Sequence, residues 1–165
     1  MAEQGTRFAS LTDYSPGRVT VIADDPRNYA YSNVFAVAAA ARPYEKVAVA
    51  KNGEYVVEVV RAEGPSPWRL ARHDEFCLVM DGEAEFRFVQ PDDEGLMPSA
   101  DGSVTLSGRP DGSRVGRVRA RTGHLVMLPA GLACEIEPAG TAVLLTQTIE
   151  GPETVFRWSE ICQTT

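Results

Sequence analysis

The chain reads as an all-β domain with a short helix near each end. Runs rich in β-branched or alternating apolar residues recur at 46–51, 54–60, 75–80, 117–121 and 141–149, each bounded by Gly, Pro, Asn or Asp. Asn52-Gly53 lies between the first two runs, and such a pair between β-rich segments is a strong hairpin signal. Helical signals are confined to an Ala-rich stretch after Ser32 and to residues 154–162.

In order along the chain, residues 1–30 read as an arm. Phe8, Leu11 and Tyr14 are apolar points among Ser, Thr, Pro and Gly, followed by a short β-like run at 18–22 and a turn at 24–28. Ser32 is placed to cap a helix that runs to about Arg42, where Pro43 ends it. In the hairpin, Asn52 and Gly53 are expected to be the two turn residues, both at positive φ. The 75–80 strand is apolar on both sides: Glu75, Cys77 and Val79 share one face, Phe76, Leu78 and Met80 the other. Such a strand needs a second layer, either another part of this chain or another subunit.

Residues 90–116 hold five glycines and three prolines and read as an insertion, hairpin-like near residues 103–106. It is not a domain boundary, because strands lie on both sides of it, so residues 1–165 are expected to form one domain. Arg117, Arg119 and Arg121 alternate with Val118 and Ala120 on one strand face, which is either a solvated edge or a docking surface for an acidic partner. Cys134 and Ile136 alternate with Glu135 and Glu137, which turns the cysteine inward. Val155, Trp158 and Cys162 follow helical spacing, with Trp158 as a packing anchor.

A hydrophobic content of 44% in 165 residues is enough for a real core. The net charge of −7 would repel a phosphate backbone, so nucleic acid is not an expected partner. No apolar run is long enough to cross a bilayer, and the first residues lack the basic start and apolar centre of a secretory signal. Three cysteines (Cys77, Cys134, Cys162) form no framework and fit reduced thiols in the cytoplasm.

Gly123 to Cys134 reads G-x5-P-x-G-x-x-C, and Glu75 stands seven residues before Gly82. These segments resemble the two signatures of the cupin family, G-x5-P-x-G-x-x-H and H-x-H-x4-E-x6-G. The resemblance implies a jelly-roll β-barrel. It also implies that three of four metal ligands are missing, since Trp68 and Leu70 fall on the two histidines of the first signature and Cys134 on that of the second. Neither an indole nor an aliphatic side chain coordinates a metal, so no metal is expected in this chain. His73, two residues before Glu75, is no ligand in that pattern. The barrel mouth would be lined by Trp68, Leu70, Glu75, Cys77, Cys134 and Ile136, either filled by these side chains or open to a small aromatic ligand. A carboxylate in such an apolar pocket is a candidate acid or base, which gives a metal-independent isomerase reading for Glu75 with His73. Cys134 reads better as an inert buried thiol than as a nucleophile, since its sequence neighbours are acidic.

Segments 24–35, 43–49 and 146–164, with Arg109-Pro-Asp-Gly112, are also similar to the small subunit of two-subunit hydroquinone 1,2-dioxygenases. That resemblance implies an accessory chain that binds no cofactor itself. A larger cupin-type subunit would hold Fe(II) and cleave a small aromatic substrate. Phe8, Leu11 and Tyr14 of the arm, with Arg117 and Arg119, are the expected partner contacts, the arm either reaching across to the partner or packing on its own barrel. A stand-alone cupin that binds an aromatic ligand is the alternative.

Overall fold

Alternation along each strand turns one row of apolar side chains toward a facing sheet, and the fold follows from that pairing. The computed structural model describes residue 11 and residues 32–161. Its strands are β1 (Lys46–Asn52), β2 (Tyr55–Glu63), β3 (Arg69–Ala71), β4 (Glu75–Asp81), β5 (Glu83–Pro91), β6 (Ser103–Thr105), β7 (Gly112–Arg121), β8 (Leu125–Leu128), β9 (Ala133–Pro138), β10 (Thr141–Ile149) and β11 (Thr154–Val155), with helices α1 (Val34–Ala40) and α2 (Trp158–Ile161). One sheet has the order β11-β1-β2-β10-β4-β8, the other β6-β3-β9-β5-β7. The two sheets face each other as a jelly-roll barrel. Val60, Cys77, Val79 and Leu144 from the first sheet meet Phe86, Phe88, Cys134 and Ile136 from the second in the main core.

The outer faces are covered unequally. Helix α1 lays Phe35, Val37 and Ala38 over Val47, Val59 and Val143, with Leu11, Met80 and Leu145 at the margin. This is the second layer that the two-faced strand demanded, but among the described residues it reaches only the Met80 end. Phe76 lies opposite Met127 and Leu78 opposite Leu125 across β4 and β8. Phe76 is 39% exposed, Met127 49% and Leu125 62%. On the other sheet, Leu96 and Leu106 fold back over Trp68, Leu70, Val89 and Ala133.

Local chemistry moves several boundaries. Asn33, not Ser32, caps α1: its Oδ1 accepts the N–H groups of Phe35 and Ala36, while Ser32 Oγ donates to Ile161 O. Asn52 pairs with Tyr55, so the hairpin turns on Gly53-Glu54, and Gly53 alone takes positive φ, at 62°. Strand β5 runs on to Pro91 and pairs with Gly112, so the insertion is shorter than its composition suggested, and residues 103–105 pair with β3 and form no hairpin of their own. At Gly112 the backbone passes so close to β5 that a Cβ would lie 2.0 Å from Gln90 O; only glycine fits. Thr154 and Val155 pair in parallel with β1, which leaves only four residues to the C-terminal helix. Cys162 lies outside the described residues. Trp158 packs on Phe156, ring centroids 5.5 Å apart. No helix among the described residues is long and apolar enough to cross a membrane.

Candidate functional site

Strand β3 is three residues long, and its parity decides what enters the barrel. Trp68 and Leu70 point away from the interior, into the cluster under Leu96 and Leu106. The expectation that these two line the mouth is therefore corrected: Arg69, between them, turns inward and is 7% exposed. It is the cross-strand partner of Cys134. Glu75, Cys77, Cys134 and Ile136 do lie inside, each 0–3% exposed.

The inner face of the six-stranded sheet is polar at this end and apolar at the other. Register sets Glu58 beside Thr146 and Thr146 beside Cys77, with Val56, Thr148 and Glu75 in the neighbouring row. The Thr148 hydroxyl donates to Glu75 Oε1 at 2.6 Å, and His73 Nε2 lies 2.9 Å from Thr148 Oγ1. Ile149 N–H also lies 3.3 Å from Nε2, and Nδ1 has no hydrogen-bond partner among the described residues. Glu75 and His73 are thus brought together, through a threonine that sequence reasoning missed. Glu58 accepts from Thr154 Oγ1 at 2.7 Å. Lys46 Nζ donates to Ser103 Oγ at 2.6 Å and to Glu153 at 2.7 Å.

The electrostatics follow from burial. Desolvation pushes the Cys77 thiol up to about 11 and Cys134 to about 12, with the Arg69 charge opposing each and failing to reverse it. Burial also raises Glu58, against the hydrogen bond from Thr154 and the charges of Lys46 and Arg69. Glu153 is lowered despite its own desolvation, because Lys46 and Thr105 favour its charged form. Arg69 carries a fixed charge into this cluster, and its Nε and Nη2 have no hydrogen-bond partner. A divalent ion needs deprotonated donors converging at about 2 Å. Two protonated thiols, a carboxylate already held by Thr148, and a guanidinium do not fit that requirement. Among the described residues no three His, Cys, Asp or Glu side chains converge as ligands would. Three of the missed residues were legible: Glu58 shares its strand face with Val56 and Val60, and Thr146 and Thr148 theirs with Leu144, so period two already turns them inward.

The expected partner contacts fare differently. Leu11 packs on the six-stranded sheet, and its N–H donates to Asp81 Oδ2 at 2.9 Å; Phe8 and Tyr14 lie outside the described residues. Arg117 and Arg119 are paired on the outer face of the sheet and stay exposed, 72% and 69% at the side chain. Arg117 lies 3.4 Å from Glu85, and Arg119 is 3.6 Å from Glu83 and 3.5 Å from Glu85. Arg87, in the same outer lattice, is raised by hydrogen bonds to Glu85, Glu135 and Glu137.

No family model and no curated protein matches the chain. Solved structures do. A chain of hydroquinone 1,2-dioxygenase from Sphingomonas sp. TTNP3, with 4-hydroxybenzoate bound, is 48% identical over 98% of this chain and 99% of that one, with a TM-score of 0.89. A chain of hydroquinone 1,2-dioxygenase PnpCD in complex with Cd2+ and 4-hydroxybenzonitrile is 44% identical over 99% of both, with a TM-score of 0.87. A longer chain of PnpCD, in complex with Fe3+, shares the fold alone: 13% identity and a TM-score of 0.63 over 91% of this chain but 42% of that one. With end-to-end likeness at this level of identity, the chain belongs to the hydroquinone 1,2-dioxygenase family, among those of its chains that share its length.

Proposed function

We propose that this chain is the metal-free accessory subunit of an Fe(II)-dependent aromatic ring-cleaving dioxygenase of the hydroquinone 1,2-dioxygenase type. Arg69 carries the reading. It brings a permanent positive charge into the end of the barrel where Glu75 and Cys134 face each other, and a divalent cation there would meet both that charge and two protonated thiols. Catalytic iron then belongs to a second chain. That PnpCD contains both a chain of this length and one more than twice as long with the same fold supports a hetero-oligomer. The uncovered pairs Phe76–Met127 and Leu78–Leu125 supply an apolar, uncharged core for an interface with that longer chain.

In such an assembly this chain contributes a rigid barrel, and its contribution to turnover is to hold the catalytic chain and exclude water from the aromatic substrate. A metal-independent isomerase built on Glu75 and His73 is disfavoured by the burial of both groups, 4% and 17% exposed at the side chain.

The test is anaerobic loading with Fe(II), desalting and metal analysis of the chain alone and of its co-purified complex, with hydroquinone oxidation followed in each. Iron and activity only in the complex are expected. Stoichiometric iron or turnover in the chain alone overturns the reading.

A further inference from the structure

A cavity of about 470 Å³ opens on the outer face of the five-stranded sheet. It lies where β5 and β7 slip register between Phe88 and Val89, opposite Gly116. A Cβ on Gly116 would meet nothing within 4 Å, so the space above it is open. Trp68, Phe88 and Val89 border it below, the indole that the barrel interior turned away. The cavity falls in the size range of small-molecule sites, and a bulge beside it is a common way of opening a sheet for a ligand.

Its rim is cationic in a chain that is acidic as a whole. Arg87, Arg109, Arg114 and Arg117 stand against two carboxylates, Glu85 and Glu135. Both carboxylates are already engaged: Glu85 accepts from Arg87 Nε at 2.9 Å and Glu135 from Arg87 Nη1 at 3.0 Å. Arg117 shares Glu85 at 3.4 Å. Arg109 and Arg114 make no ion pair among the described residues. Both lie near Gly112, whose close approach to Gln90 holds this stretch of backbone against β5 beside the cavity. The Arg-Pro-Asp-Gly segment singled out in the sequence therefore has a place in the fold, but among the described residues its arginine has no partner.

We infer that this cavity binds a small aromatic carboxylate, its ring against Trp68 and Val89 and its carboxylate held by Arg109 and Arg114. The chemistry follows from what each wall offers. A guanidinium pairs with a carboxylate through two parallel hydrogen bonds, and a charge-assisted pair is stronger at a partly dry wall than in water. An aromatic edge or face takes a ring by stacking and area burial. A neutral phenol or alcohol of the same size satisfies only the floor, so the site selects the anion.

The test is titration of the full chain with benzoate and with benzyl alcohol, a neutral probe of similar size. Binding is followed at the Trp68 indole N–H resonance in a Trp158→Phe background, which leaves one indole. Saturable benzoate binding at least tenfold tighter than benzyl alcohol is expected. The double variant Arg109→Ala, Arg114→Ala should lose at least tenfold in benzoate affinity with benzyl alcohol and the unfolding midpoint unchanged. Equal affinities for the two probes, benzoate shifts reproduced by acetate at the same ionic strength, or a double variant that binds benzoate as the parent does would each overturn the inference.

Discussion

Two arginines on the five-stranded sheet point in opposite directions, and they are satisfied in inverse proportion to their burial. Arg87, 41% exposed at the side chain, pairs with Glu85, Glu135 and Glu137 on the outer face. Arg69, 7% exposed, faces the interior with Nε and Nη2 unpaired. The outer lattice is the cheaper place for such pairs and gains little from them, because water screens exposed charges. Inside, each unsatisfied donor costs about 1–3 kcal/mol, and a charge is tolerated only near opposite charge. Arg69 has that compensation in Glu58, whose carboxylate feels it through space, with Glu75 buried in the same interior. The difference teaches that the interior arginine acts on its surroundings through its charge and not through hydrogen bonds from Nε and Nη2.

The sharpest way to break this contrast is Arg69→Met. It removes the interior cation and leaves two buried carboxylates facing each other, a change that costs about 3–5 kcal/mol when one member of a buried charged set is lost. Urea unfolding reads it directly, and an unchanged midpoint would end the argument that Arg69 is a counter-charge. Next in size is the alkaline limb of stability. The Cys77 and Cys134 thiols are raised in the fold to about 11 and 12, so the native state holds these protons more tightly than the unfolded chain does. Their contribution is full below about pH 8.5, the free thiol value, and is lost as pH climbs toward the folded values. Stability measured across that window should fall as pH rises, and Cys77→Ala with Cys134→Ala should flatten the slope.

Thr148→Val severs the link between Glu75 and His73 at nearly constant volume. A loss of about 1–3 kcal/mol is expected for the buried acceptor left behind, and a neutral result would show that Glu75 finds another donor. Met127→Lys puts a charge on the uncovered face of β8 and should leave the isolated chain as stable as before while weakening assembly with the longer chain; sedimentation of the mixture separates the two effects. Smallest of all, Arg119→Ala removes an outer-lattice pair at 3.5–3.6 Å and should leave the urea midpoint where it was. A large loss there would erase the distinction between the two sides of the sheet.

Much of the barrel was legible in the residues. The runs at 46–60, 75–80 and 141–149 became paired strands because their alternation has one buried face. The hairpin was found but its turn was placed one residue early, since Asn52 does better as a paired strand end than as a strained turn residue when Gly53 can take the positive φ alone. The helix cap shifted from Ser32 to Asn33 because either side chain could accept the first N–H groups, and Ser32 is drawn instead to Ile161.

By itself the sequence determined that the histidines of a cupin metal site are absent, because Trp68, Leu70 and Cys134 stand in their places whatever the fold does with them. It also determined that Glu75 and Cys77 share a strand face. Only the tertiary structure decided which residue of Trp68-Arg69-Leu70 enters the barrel. Side-chain direction in a strand has period two, so a slip of one residue inverts every assignment. A three-residue strand preceded by Pro65 and Pro67 carries too little pattern to fix its own parity. Pairing with β6 and β9 fixed it, and with it the charge at the centre of the barrel.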